Sequence, residues 1–513
     1  MSRYRPAIFI LPIMLIQLFL SLPRLNEPIL DSRLHWYWDN ALFLLKARHS
    51  NTLPPPELTG SKEDVLRIFG TANYRYDGEG RPKQITFYSH HPVLTPTLFR
   101  LYAKILGYGN WVPRSFMLIL SLLTTWVLFV FLRSELKEDQ TCAFMVLLYT
   151  LLPLYFMYLD QWKDVNMGTL LTLLGFYLIT KASVSGLYRA LFLICFFLLF
   201  QSEWIAYYSA PFILLHLYRN RKRQGWHGLH GQAILVALLG VGVNFAILHQ
   251  LGFNQETMRA VAASRMTDGQ DQIGISTWAI TQWMYLRMNF GEINLAFYLI
   301  GMVYLFLRKR APTNLLLLAS LAFTVSLICH VGLFRNLSWI HHYVQWSFGP
   351  AYILLIAGIL SDLRKENPGN GTPKGIQVAV MITLFAFTAV DSYQFEKNIR
   401  GSIFGHVSDL DTVRTLQKRL IVFSDGRSGP ADWWSGPVMD LARDPLFQGL
   451  SDLAPIERIE TLRGLDPKKD LLVVLNAREA LASVPAYLEG RFGITGLRPV
   501  RRSHSFTFFE MLR

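Results

Sequence analysis

Asp31 follows soon after the first long apolar run of this chain, and the same polar stretch, from about Pro23 to Pro92, ends in Phe87-Tyr88-Ser89-His90-His91-Pro92. A carboxylate at such a place can take a proton from an attacking hydroxyl, a role that contributes typically ~10²–10⁴-fold. Asp is also a preferred N-cap, here for a helix over 32–46, and the residues leave both roles open. His90 and His91 precede a helix start. Imidazoles beside helix N-terminal N–H groups suit a phosphate, while a solvated histidine pair is the bland reading. In Leu159-Asp160-Gln161-Trp162-Lys163-Asp164, Asp160 and Asp164 stand at i and i+4 and would share one face of a helix. They suit an acceptor or a divalent metal, or simply pair with Lys163. Arg335, His341 and His342, in Arg335-Asn336-Leu337-Ser338-Trp339-Ile340-His341-His342-Tyr343, add a cationic cluster, as would Arg259 and Arg265. Scattered snorkelling side chains are the alternative.

The elements that must position these residues are membrane spans. Of the 513 residues, 51% are hydrophobic and 14% aromatic, and apolar runs of bilayer length recur. After a run over Ala7–Leu22, which lacks a small-residue cleavage site and reads as a retained anchor, spans are expected near Val112–Leu132, Thr141–Tyr158, Val165–Thr180, Leu187–Gln201, Trp204–Tyr218, Gln232–Gln250, Ile293–Leu307, Thr313–Val331, Tyr343–Leu360 and Ile376–Tyr393, about 11 in all. The split at Gln201-Ser202-Glu203 avoids a charge at mid-bilayer, which costs about 2.5–3.5 kcal/mol.

Basic residues then fall on alternate turnings: Arg133/Lys137, Lys181/Arg189, Arg219 to Arg223, Arg308 to Arg310 and Arg364 to Lys374. By the positive-inside rule these are cytoplasmic, with the N terminus, and the candidate residues all face the other side. The net charge of +14 is thus spread over membrane-flanking loops, which argues against a nucleic-acid partner. Cys142, Cys195 and Cys329 all lie in expected spans and form neither a disulfide framework nor a metal-spacing motif.

Three regions are expected on the extracytoplasmic side: the first loop, about 23–111; a second large loop, about 251–292; and a soluble domain over 395–513. The first loop should carry interfacial helices, one over His35–Lys46 with a nearly continuous aromatic face and one over Leu94–Leu106. In the last region the short apolar runs Arg419–Ser424 and Asp470–Leu475 read as strands of a small α/β domain. Its Asp432-Trp433-Trp434-Ser435-Gly436 fits either a glycan platform or packing. The fold class is thus an α-helical polytopic membrane protein, residues 1–394, with a small C-terminal α/β domain.

The order of one helix, a long outer loop with an early Asp, Ser89-His90-His91-Pro92-Val93-Leu94-Thr95-Pro96, Trp111-Val112-Pro113-Arg114, Leu152-Pro153 and His341-His342-Tyr343 before Gly349-Pro350-Ala351 resembles the GT-C membrane glycosyltransferases. The resemblance is to the branch of protein O-mannosyltransferases and lipid A aminoarabinose transferases, and it covers about Leu11 to Leu360. Two departures stand out: Asp31-Ser32 where the family commonly has an acidic pair, and His91-Pro92-Val93 where it has His-Pro-Pro. The resemblance implies transfer of a sugar from a polyprenyl-phosphate donor to a glycan, lipid or protein hydroxyl outside the membrane, with inversion. It makes Asp31 the base, and His90, His91, Lys163, Arg335, His341 and His342 the groups that steady the departing phosphate. No cofactor is implied beyond a possible divalent metal.

A transporter of lipid-linked substrates and a non-catalytic scaffold are the competing classes. A transporter would favour repeated halves and polar groups at mid-membrane, which this chain does not display in sequence. The sequons Asn370-Gly371-Thr372 and Asn336-Leu337-Ser338 fall where glycosylation is not expected, so the expected setting is a bacterial inner membrane with the C-terminal domain in the periplasm.

Overall fold

A computed structural model describes residues 5–25, 52–53, 74–76, 82–86, 92–106, 111–160, 165–223, 226, 228–250, 274–307, 314–335, 338, 342–366, 379–395, 397, 419–423, 470–475, 489, 493–502 and 506–512. Contacts divide the chain into two units, Met1–Glu27 with Ser89–Lys397, and Pro28–Tyr88 with Asn398–Arg513.

The first unit is helical: α1 (Arg5–Ser21), α2 (Leu94–Leu106), α3 (Trp111–Leu136), α4 (Asp139–Leu151), α5 (Pro153–Met157), α6 (Val165–Ala182), α7 (Gly186–Phe200), α8 (Ile205–Asn220), α9 (Leu229–Gln250), α10 (Ile275–Phe290), α11 (Glu292–Leu307), α12 (Leu315–Leu333), α13 (Phe348–Glu366) and α14 (Ala379–Phe395). Among the described residues, 6 helices are long and apolar enough to cross a membrane, or up to 7 if α10 and α11 count as one bent span. The chain is an integral membrane protein. Each expected span has a helix in its place, but several are too short or interrupted to qualify by length alone.

The interruptions have local causes. The segment expected as one span over Thr141–Tyr158 breaks at Leu152, because Pro153 lacks the N–H that would continue α4 and instead opens α5. The span expected over Tyr343–Leu360 starts as a 3₁₀ helix, His342–Ser347, before α13. The second large loop is not loop throughout: α10 occupies its last part, and α10 and α11 meet at 108°. Gly291 makes that corner at φ 77° and ψ 151°, a region open to glycine alone, and Arg287 and Glu292 pair across it.

Packing follows what membrane helices require. Small residues permit close approach: Gly240 lies on Phe200, Gly168 on Ile205, Gly358 on Leu317. Apolar side chains that remain exposed form lipid-facing surfaces, such as Ile8, Leu11, Leu15 and Phe19 on α1 and Leu299, Ile300, Val303 and Phe306 on α11. The expected helix over Leu94–Leu106 forms as α2. It turns Phe99 and Tyr102 onto Phe116 of α3, with ring centroids 5.4 Å apart in each case, and leaves Leu98, Leu101 and Ile105 exposed. Its first N–H, on Leu94, donates to Gln201 O at 2.8 Å.

The second unit contains two sheets. β1 (Thr52–Leu53), β2 (Tyr74–Tyr76) and β3 (Pro82–Thr86) pair antiparallel in the order β1-β3-β2. In the C-terminal region β4 (Arg419–Phe423) and β5 (Asp470–Leu475), both at the expected positions, pair parallel. β7 (Phe506–Leu512) then joins β5 antiparallel and β6 (Gly496–Arg502) closes the order β4-β5-β7-β6. The expected helix over 35–46 and the Trp433-Trp434 pair lie outside the described residues.

Candidate functional site

The short segment from Pro153 to Asp160 is the meeting point. It follows the proline break, and three elements reach it from distant parts of the sequence. Arg24, just past α1 and buried, donates through Nη1 to Phe156 O at 3.4 Å with its guanidinium 5.5 Å from the Phe156 ring. Arg114, in the first turn of α3, donates through Nη1 to Asp160 Oδ2 at 2.9 Å, with side-chain exposures of 6% and 0% for the two partners. Tyr155 lies between Tyr149 and Trp346, both ring centroids 4.3 Å away, and its hydroxyl donates to Trp346 O. Gly349, one turn into the chain beyond Trp346, faces the Tyr155 ring so closely that a Cβ there would collide with it.

A buried ion pair survives only where geometry and further bonds compensate for lost hydration. The Arg114–Asp160 pair has one well-placed bond, and Asp160 Oδ1 has no hydrogen-bond partner among the described residues. Asp160 is therefore committed on one oxygen to Arg114 and unoccupied on the other. It is not a solvated loop carboxylate.

A second polar network anchors the loop that carries Arg335 and His342. Gln345, buried in the 3₁₀ helix, donates through Nε2 to Gln282 O at 2.9 Å and Gln282 Oε1 at 3.0 Å, and accepts from Asn289 Nδ2 at 3.2 Å. Gln282 in turn donates to Ser338 O at 2.8 Å, and Trp278 Nε1 donates to Ser338 Oγ at 2.9 Å. Ser338 Oγ lies 3.0 Å from Arg335 O, to which it donates. The polar side of α10 thus fixes both ends of residues 335–345, the stretch predicted to supply cations.

Of the residues singled out in the sequence, Asp160 is buried against Arg114 and Arg335 is half-buried at the end of α12. His342 opens the 3₁₀ helix by its backbone. Asp31, His90, His91, Lys163, Asp164 and His341 lie outside the described residues, as do Arg259 and Arg265. Among the described residues no three His, Cys, Asp or Glu side chains group as metal ligands. Arg24 and Arg114 carried no role in the sequence reading. The available signal was an arginine at the edge of an apolar run, just after Pro23 or Pro113, where a solvated cation has no reason to sit.

No family model matches the chain, and no curated protein matches it. Among solved structures, that of ArnT from Cupriavidus metallidurans bound to undecaprenyl phosphate is similar over 93% of this chain and 96% of that chain, at 12% identity and a TM-score of 0.49. The Archaeoglobus fulgidus oligosaccharyltransferase in complex with zinc and sulfate is similar over 76% of this chain and 53% of that chain, at 12% identity and a TM-score of 0.43.

Proposed function

We propose that this chain is a GT-C-like membrane glycosyltransferase that moves a sugar from a polyprenyl-phosphate donor to an acceptor hydroxyl on the extracytoplasmic side. In the proposed step Asp31 takes the hydroxyl proton as the acceptor oxygen attacks the anomeric carbon. The bond from that carbon to the phosphate oxygen breaks on the opposite face, the configuration inverts, and polyprenyl phosphate leaves with the electron pair. His90, His91, Lys163, Arg335, His341 and His342 stabilise the charge on the leaving phosphate, a use of preorganised cations that lowers such barriers.

The observation that carries this reading is the convergence of cationic elements on residues 153–160. Arg24 and Arg114 both terminate there, and the 3₁₀ helix begun by His342 reaches the same segment through Trp346. In this reading the end of α1, the start of α3, the end of α5 and the start of the 3₁₀ helix share one side of the membrane. That is the side to which the charge pattern assigns the first loop.

The test is turnover by the purified full chain in nanodiscs, offered a panel of radiolabelled polyprenyl-phosphate sugars, with Asp31→Asn alongside. Donor-dependent release of polyprenyl phosphate that is lost in the variant is the expected result. Release at the wild-type rate by Asp31→Asn removes the assigned base, and release from no donor in the panel removes the transferase reading.

A further inference from the structure

Inside the helical unit a cavity of about 20 Å³ is lined by Gln17 of α1, Ser121, Thr124 and Thr125 of α3, Tyr149 and Thr150 of α4, Tyr155, Leu159, Asn166 and Thr169 of α6, and Trp346. Almost every lining residue is polar, and most of the polar groups already have partners. Thr125 Oγ1 accepts from Gln17 Nε2 at 2.9 Å, Thr124 donates to Leu120 O at 2.8 Å, Ser121 to Leu159 O at 2.7 Å and Thr150 to Leu147 O at 2.9 Å. The Tyr149 and Tyr155 ring centroids lie 4.3 Å apart, and the Tyr155 hydroxyl donates to Trp346 O.

Four of the lining residues each hold an atom with no hydrogen-bond partner among the described residues: Gln17 Oε1, Asn166 Oδ1, Thr169 Oγ1 and Trp346 Nε1. All four residues are nine-tenths or more buried, at 4%, 2%, 0% and 3% exposure. Buried polar atoms in a membrane protein normally find partners, because the surroundings offer no bulk water to replace them. The chemistry of the four is complementary to one molecule. Gln17 Oε1 and Asn166 Oδ1 only accept, the indole N–H of Trp346 only donates, and the Thr169 hydroxyl can donate. A species that donates twice and accepts twice satisfies them all. The volume is that of a single water, for which about 10–15 Å³ is the minimum.

We propose that this cavity is the binding site of one ordered water that joins α1, α6 and the 3₁₀ helix beside Tyr155 and Leu159. The carbonyl oxygens of Gln17 and Asn166 with a threonine hydroxyl would by themselves suit a sodium ion, but the unpartnered N–H of Trp346, a further lining residue, is a donor and disfavours a cation. The inference rests on these four atoms and the cavity, and is independent of the glycosyltransferase reading.

Synchrotron hydroxyl-radical labelling of the full chain in nanodiscs tests it, because radicals formed from a bound water oxidise side chains beside it even when bulk solvent cannot reach them. Tyr149, Tyr155 and Trp346 are expected to be oxidised at least several-fold faster than Tyr352, which is 0% exposed and donates its hydroxyl hydrogen to Asn294 Oδ1. Thr169→Val, which keeps the side-chain shape, and Gln17→Leu should each bring these rates down to that of Tyr352. Replacing sodium by choline in the buffer should change nothing. Wild-type rates no faster than Tyr352, rates unchanged in Thr169→Val, or a dependence on sodium would overturn the proposal.

Discussion

Removing either partner of the Arg114–Asp160 pair should unfold the helical unit far more easily than removing both. The two groups are 2.9 Å apart with 6% and 0% of their side chains exposed, so solvent screening is slight. At an effective dielectric constant of about 20 the attraction of two charges some 4 Å apart is about 4 kcal/mol. Breaking a buried pair from one side costs about 3–5 kcal/mol because the remaining charge is stranded, whereas an apolar replacement of both is often neutral. Arg114→Met strands the carboxylate of Asp160, and Asp160→Leu takes away the carboxylate that accepts from Arg114 Nη1. Each should lose about 3–5 kcal/mol, roughly a hundredfold or more in the folding equilibrium. The Arg114→Met/Asp160→Leu double variant should recover most of that. The assay is denaturant unfolding of the purified chain in mixed micelles, followed by tryptophan fluorescence, as a double-mutant cycle. Single losses below about 1 kcal/mol, or a double variant that loses the sum of the two, would refute the account of a desolvated, mutually dependent pair.

Gly349→Ala would drive a methyl into the Tyr155 ring and displace the Tyr149–Tyr155–Trp346 stack; overpacking of this kind costs about 1–3 kcal/mol, read as a lower unfolding midpoint. Gly291→Ala places a side chain at φ 77° against Asp391, so the corner between α10 and α11 should loosen at a cost of about 1–3 kcal/mol, detected as faster proteolysis within 275–290. Gln345→Leu leaves Asn289 Nδ2 without its acceptor and Gln282 without its donor. A loss of about 1–3 kcal/mol from breaking this buried network should free residues 335–345, giving faster tryptic cleavage after Arg335 than in the wild type.

The helices were legible because crossing a bilayer demands length and apolarity, and both are written locally; every expected span has a helix. Where the sequence reading and the structure part, the cause is a feature with no local length signal. α10 reads as loop because Gln282 and Asn289 interrupt its apolar pattern, yet these are the residues it buries, against Ser338 and Gln345. The proline that splits α4 from α5 was visible as Leu152-Pro153, but its consequence, a turn that presents Phe156 O to Arg24, was not. Pairing of Arg114 with Asp160 across 46 positions leaves no mark in either neighbourhood. The i, i+4 spacing of Asp160 and Asp164 pointed to a shared helix face. Asp160 lies in a turn and its partner comes from α3, while Asp164 lies outside the described residues.

The interior of the helical unit also explains why its unpartnered atoms carry weight. Apolar surface does not drive helices together in lipid, so their association relies on packing and on hydrogen bonds of modest strength, about 0.6 kcal/mol on average. One interior cluster closes completely: Asn294 Nδ2 donates to Phe290 O at 2.7 Å and Thr388 Oγ1 at 2.9 Å, Tyr352 donates to Asn294 Oδ1 at 2.8 Å, and beside it Tyr298 and Thr324 hydroxyls lie 2.8 Å apart. α11, α12, α13 and α14 are thereby joined with no atom of Asn294 left over. The cluster at Gln17, Asn166, Thr169 and Trp346 is built from the same residue types at the same depth of burial, and it stays open by two acceptors and two donors around a cavity of one-water size. What sets this cluster apart from single unpartnered atoms elsewhere is the cavity that its four residues share, and with Tyr155 and Leu159 also in the lining, a bound water there would tie α1 to the segment that receives Arg24 and Arg114.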